Sequence, residues 1–188
     1  FSTVGQLSYI ILGIAILSPY AATGALYHIV AHAFMKITLF MCAGAIFVTT
    51  HRKNISEMIG IGRQMPITMT CFTLASLAVA GFPFFVGFTS KANIIMGAIS
   101  MGQPFFVATL IVSALLALTY LMPVVLMAFK RDFYNSQFPV RKEASLPMLI
   151  PIMITAACSL ILGVMPNFGL HLYDLAVMAG NAIFGLSL

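Results

Sequence analysis

His28, His32 and Lys36 recur at every fourth residue inside the apolar run YHIVAHAFMK. That spacing stacks side chains on one face of an α-helix. Eight residues of helix make the column about 12 Å long. Histidine exchanges protons near neutral pH, and a buried amine releases its proton more readily than one in water. The column therefore reads as a chain of proton-exchanging groups. A fourth such group, Lys91, stands in GFTSKAN, where Thr89, Ser90 and Asn93 supply small polar groups able to hold water. Other chemistry stays open. His28 and His32 at i, i+4 suit zinc, but neither the glutamate of H-E-x-x-H nor a third ligand accompanies them. Haem usually takes its histidines from facing helices. Both histidines could simply pack in a core, and Lys36 could pair with an acid on another segment.

The elements that must position these groups follow from composition. The 188 residues are 61% hydrophobic and 7% charged, with a mean hydropathy of +1.07. A soluble domain carries roughly 25% charge, so the chain reads as an integral membrane protein. Its apolar runs are continuous instead of alternating, which favours helices over a β-barrel. The expected fold is all-α, with about five membrane spans: 1–17, 21–48, 66–100, 104–129 and 146–164. The third run is too long for one ordinary helix, and Gly81, Pro83 and Gly87 in AGFPFFVGF predict a break over 81–87. The tail, 166–188, is expected to form an interfacial helix. Cys42, Cys71 and Cys158 lack metal-ligand spacing and are expected to be packing residues. The chain starts at Phe1 without a signal peptide, and a piece of a longer protein is expected.

Seven of the nine basic residues fall in two loops: Arg52, Lys53 and Arg63 in 49–65, and Lys130, Arg131, Arg141 and Lys142 in 130–145. If the broken stretch crosses once, both loops share a side, which the positive-inside rule makes cytoplasmic. The basic excess thus needs no nucleic acid. Lys36 and Lys91 remain inside spans. An ammonium at the bilayer centre costs about 2.5–3.5 kcal/mol on insertion scales, so both must face protein or water.

FSTVGQLSYI, HIVAHAFMKITLFMCAGAI, ISEMIGIGRQMP and LAVAGFPFFVGFTSK occur in the order and spacing of one family. Over about residues 1–97 the chain resembles the proton-conducting antiporter-like subunits of respiratory complex I, Mrp-type cation/proton antiporters and membrane-bound hydrogenases. The resemblance implies two inverted five-helix repeats, of which this chain would be the C-terminal half, carrying part of the second. It implies that His28, His32, Lys36 and Lys91 form that repeat's stretch of a buried proton axis, and that Gly81, Pro83 and Gly87 form its helix break. Phe84 replaces the second proline of the usual G-x-P-P, which would make the break milder. The usual acid after the lysine is replaced by Ala92 and Asn93.

The resemblance further implies partners: other membrane subunits, including the segment or chain bearing the first repeat, within the lipid bilayer. Iron–sulfur, flavin or quinone chemistry would belong to those partners, and no cofactor is expected here. The expected location is a bacterial or archaeal cytoplasmic membrane, or a mitochondrial-type inner membrane. The rival reading is a degenerate structural subunit that keeps the fold and conducts nothing.

Overall fold

Proline opens most of the long helices in this computed structural model, which describes residues 2–130 and 141–185. The elements are α1 (Ser2–Ala15), α2 (Pro19–Thr50), a 3-10 turn (Ile55–Met58), α3 (Ile61–Gln64), α4 (Pro66–Ala80), α5 (Val86–Ser100), α6 (Pro104–Phe129), α7 (Leu146–Val164) and α8 (Leu172–Ile183). Pro19, Pro66 and Pro104 each stand at a first helical position, where a missing N–H costs nothing and φ is already helical. No strand occurs among the described residues. The all-α architecture with one broken helix agrees with the sequence expectation. By length and apolarity α2, α6 and α7 suit a membrane crossing, while α1, α4 and α8 are shorter apolar helices.

The axle is α2, whose 32 residues extend roughly 48 Å at 1.5 Å per residue. Three apolar clusters are stacked along it. At its C-terminal end Cys42 and Ile46 meet Ile61, Met65 and Ile152. At mid-length Tyr27, Met35 and Leu39 meet Val79, Val86 and Leu162. At its N-terminal end Ala21 packs with Tyr9, Ile16, Ile94 and Leu110. Small residues bring backbones close. A Cβ on Gly24 would sit 2.8 Å from the Ile94 nitrogen, and one on Gly97 would sit 2.6 Å from the Ala21 nitrogen. The cysteines are free thiols; Cys42 and Cys71 are buried, and the Cys42 thiol donates to the Thr68 carbonyl at 3.5 Å.

The described parts of both basic loops lie at one end of the bundle. The Gly60 N–H reaches the Met127 carbonyl, and the Lys142 N–H reaches the Gln64 carbonyl. Glu143 caps α4, accepting from the Ile67 N–H at 2.6 Å and the Thr68 hydroxyl at 2.9 Å. A carboxylate there satisfies free amide donors and meets the positive end of the helix dipole. Glu57 accepts from the Asn54 side chain and from the Lys53 and Asn54 amides, which hold its carboxyl below the usual range.

The outer surface is apolar. Phe105, Leu115, Leu116 and Leu126 on α6 are all more than half exposed. Side chains of that kind at roughly 25 cal/mol per Å² call for lipid or a partner, not water.

The run 66–100 is broken where glycine and proline stand. Gly81 takes φ 88° at the end of α4, and the Phe82 N–H turns back to the Leu77 carbonyl. This is a glycine C-cap followed by proline, which cannot continue a helix. Phe84 is also left-handed, at φ 71°, which costs a non-glycine residue about 1–2 kcal/mol. Residues 81–85 all leave the helix. Gly87 lies outside the interruption, in the first turn of α5, where a Cβ would run into the Ala78 carbonyl oxygen.

Beyond α7, α8 lies alongside the first third of α2. The Tyr173 ring meets Tyr27 at 5.4 Å, edge to face, and two turns of helix later Gly180 sits against Thr23 and Pro19. The two helices therefore run antiparallel.

Candidate functional site

Side chains at i, i+4 and i+8 on a helix share a face, and α2 turns His28, His32 and Lys36 towards α1 and α5. His28 is fully buried and Lys36 is 7% exposed. The two imidazoles are stacked, 6.5 Å between centroids and 28° apart in plane. The helix α1 runs antiparallel against this face. Its Ser2 hydroxyl accepts a hydrogen bond from the Lys36 ammonium at 2.6 Å and lies 2.7 Å from the Tyr120 hydroxyl. Tyr9 meets His28, and Gly13 fits against Ala21 and Ala25.

Among the described residues one side-chain hydrogen bond joins α2 to α5. His28 Nδ1 and Ser90 Oγ are 2.8 Å apart, and Ser90 also donates to the Gly87 carbonyl. The next residue is Lys91, 5% exposed. Its ammonium donates to the Val79 carbonyl at 2.7 Å and lies 4.8 Å from the centre of the Tyr9 ring. The helix break explains this placement. Ending α4 at Ala80 leaves the Val79 carbonyl without the amide of a next turn, at the negative end of the helix dipole. Gly81 leaves room for the lysine, whose Cδ would be 3.1 Å from a Cβ at that position.

The four titratable groups are thus brought to one region: Lys36, His32 and His28 along α2, with Lys91 on α5 beside Ser90, which bonds His28. Thr89 and Asn93 flank it differently. The Thr89 hydroxyl donates to the Gly163 carbonyl at 3.4 Å, and Asn93 joins the Thr89 carbonyl to the Tyr173 hydroxyl. Both residues use hydrogen bonds to tie α5 to α7 and α8. Pro83, in the break itself, is exposed.

Among the described residues, His28 Nε2, His32 Nε2 and Gln6 Oε1 are buried without a protein partner. No group of three His, Cys, Asp or Glu side chains forms a metal-ligand set among the described residues. Spacing along α2 says nothing of α1. Ser2, Gln6 and Tyr9 recur at helical spacing, i, i+4 and i+7; Ser2 meets Lys36 and Tyr9 meets His28. That polar stripe was the available signal.

Comparison with known proteins bears on this arrangement. Residues 1–117 match the family model described as NADH:quinone oxidoreductase/Mrp antiporter, TM. NADH-quinone oxidoreductase subunit N of Desulforudis audaxviator is 34% identical over 174 residues, covering 87% of this chain and 35% of that protein. F(420)H(2) dehydrogenase subunit L of Methanosarcina mazei is 33% identical over 187 residues, 90% of this chain and 27% of its own length. The chain thus spans about a third of the length of these relatives. Among solved structures, a chain of the Mrp complex from Dietzia sp. superposes with a TM-score of 0.84 over 95% of this chain and 41% of that one, at 20% identity. A chain of the membrane-bound sulfane sulfur reductase, an archaeal respiratory complex, gives 0.76 at 29% identity, over 88% of this chain and 28% of that one. The first of these likenesses is one of fold alone. With the family model matched across the whole of α1 to α5, including the column and the break, the chain belongs to the NADH:quinone oxidoreductase/Mrp antiporter transmembrane family.

Proposed function

We propose that this chain conducts protons within a larger membrane complex, along the path Lys36–His32–His28–Ser90–Lys91. The observation that carries the reading is the 2.8 Å contact between His28 and Ser90. It joins the column on α2 to the residue beside Lys91, whose ammonium is held by the Val79 carbonyl at the end of α4. Proton transfer needs donor and acceptor within hydrogen-bond reach or one water apart. Along α2 the groups are about 6 Å apart, one turn of helix, a gap that one water bridges. The unpartnered Nε2 atoms of His28 and His32 are suited to such waters, since buried polar atoms normally find a partner.

Driving force comes from elsewhere: quinone-linked redox chemistry in partner subunits, or cation exchange in an Mrp-type assembly. Iron–sulfur, flavin or quinone groups belong to those partners. The partner that supplies the first repeat, on another segment or chain, completes the axis. By the positive-inside rule the end bearing Arg52, Lys53, Arg63, Arg141 and Lys142 faces the cytoplasm. The antiparallel seating of α8 on α2 supports its entering the membrane beside α2, in place of lying flat on the surface.

The test is Lys36→Met in the intact assembly, with proton movement followed by a pH-sensitive dye in inverted vesicles. Pumping is lost while assembly survives, because removing an intramembrane charge relieves a desolvation cost. Wild-type pumping by the assembled variant would leave the chain as a structural subunit.

A further inference from the structure

Tyr9 belongs to no part of the path, yet it touches two of its members. It is 2% exposed, and its ring stands 5.6 Å from the His28 ring, nearly perpendicular to it. The Lys91 ammonium lies 4.8 Å from the centre of the same ring. The hydroxyl donates to Ser113 Oγ at 2.6 Å, which fixes the ring against α6.

The charge balance around Lys91 shows what such a ring does. From α4 the ammonium receives one carbonyl, that of Val79. From α2 it faces His28, with His32 and Lys36 farther along the column. From α6, Ser113 and Tyr120 bond Tyr9 and Ser2 of α1 and not the lysine. From α8, Tyr173 reaches Asn93 and not the lysine. Among the described residues no carboxylate pairs with Lys91; the Asp174 carboxylate contacts His171 instead. An ammonium has three donors, and one carbonyl satisfies one. The face of an aromatic ring attracts a cation within about 6 Å and does far less for a neutral amine. The ring therefore discriminates between the two protonation states at the junction where the column meets Lys91.

We infer that Tyr9 is a positioning residue for proton transfer: its ring face holds Lys91 charged beside His28 and the Val79 carbonyl, and its hydroxyl serves to hold the ring. The inference rests on the proton-conducting reading above. It concerns the ring's electrons and not its shape, which gives the test its form.

The experiment compares Tyr9→Phe, Tyr9 replaced by a trifluorinated phenylalanine, and Lys91→Met, each in the intact assembly in inverted vesicles. Pumping rate is measured against pH, with the assembly's own driving force. Fluorination empties the ring face without changing its packing appreciably. The expected result is that Tyr9→Phe keeps the wild-type alkaline limb, that the fluorinated ring moves this limb to lower pH by about 0.4 to 1.5 units, and that Lys91→Met does not pump. An unmoved limb with the fluorinated ring, alongside an inactive Lys91→Met, overturns the role of Tyr9 and leaves the path standing. Wild-type pumping by Lys91→Met overturns the path and the inference with it. A limb that moves equally in Tyr9→Phe assigns the effect to the hydroxyl and likewise overturns the inference.

Discussion

Ser90→Ala removes one oxygen and with it the side-chain hydrogen bond that joins α2 to α5 at His28. Alanine fits where serine stood, so packing around the fully buried position is kept. The His28 ring then has neither nitrogen paired to protein, since Nε2 already lacks a partner among the described residues. Leaving a buried polar atom unsatisfied costs about 1–3 kcal/mol. If that cost falls on the transfer from His28 to Lys91, pumping slows roughly 5- to 160-fold. The assay is dye-reported proton uptake by inverted vesicles, normalised to assembled complex on a native gel. The slowing is expected with full assembly. Wild-type pumping by the assembled variant would refute the reasoning, because protons would then reach Lys91 without passing Ser90.

Gly87→Val drives a Cβ into the Ala78 carbonyl oxygen and towards the Met35 sulfur, 3.0 Å away. The start of α5 must shift, and loss of assembled complex on a native gel is the expected result. Glu143→Ala frees the Ile67 amide and the Thr68 hydroxyl at the start of α4, costing about 1–2 kcal/mol as a lost helix cap; a lower thermal midpoint of the solubilised complex is expected. Glu57 is held below the usual carboxylate range chiefly by the Asn54 side chain, then by the Lys53 and Asn54 amides. Its stabilising contribution is present above the ordinary carboxylate pKa and is lost as pH falls through the lower folded value. Hydrogen exchange over 54–58, corrected for intrinsic rates, should show less protection at pH 3 than at pH 7, and Glu57→Gln should abolish the difference.

Much of this architecture was legible because bilayer physics leaves few options. Proline starts, apolar run lengths and the glycine–proline cluster at 81–83 mark where helices begin and stop, and the four-residue spacing of His28, His32 and Lys36 puts them on one face. What spacing along one helix does not contain is the partner across the interface. Whether Lys91 meets the column depends on how α5 leans on α2, set by close approaches at Gly24 and Gly97 that need both chains of backbone. The same holds for Val79, whose carbonyl becomes a ligand only because α4 stops one residue later. Phe84 carries no such signal: nothing in a phenylalanine marks the left-handed backbone it adopts between Pro83 and α5.

The central claim is that Lys91 is the proton-bearing end of this path, and Lys91→Met tests it most directly. Measured as protons moved per turnover of the driving reaction in vesicles, the variant should assemble fully and translocate none of the protons assigned to this chain. Lys91→Glu should recover part of the wild-type ratio, because a carboxylate also binds and releases a proton. A Lys91→Met complex that assembles and keeps the full wild-type ratio would contradict the account.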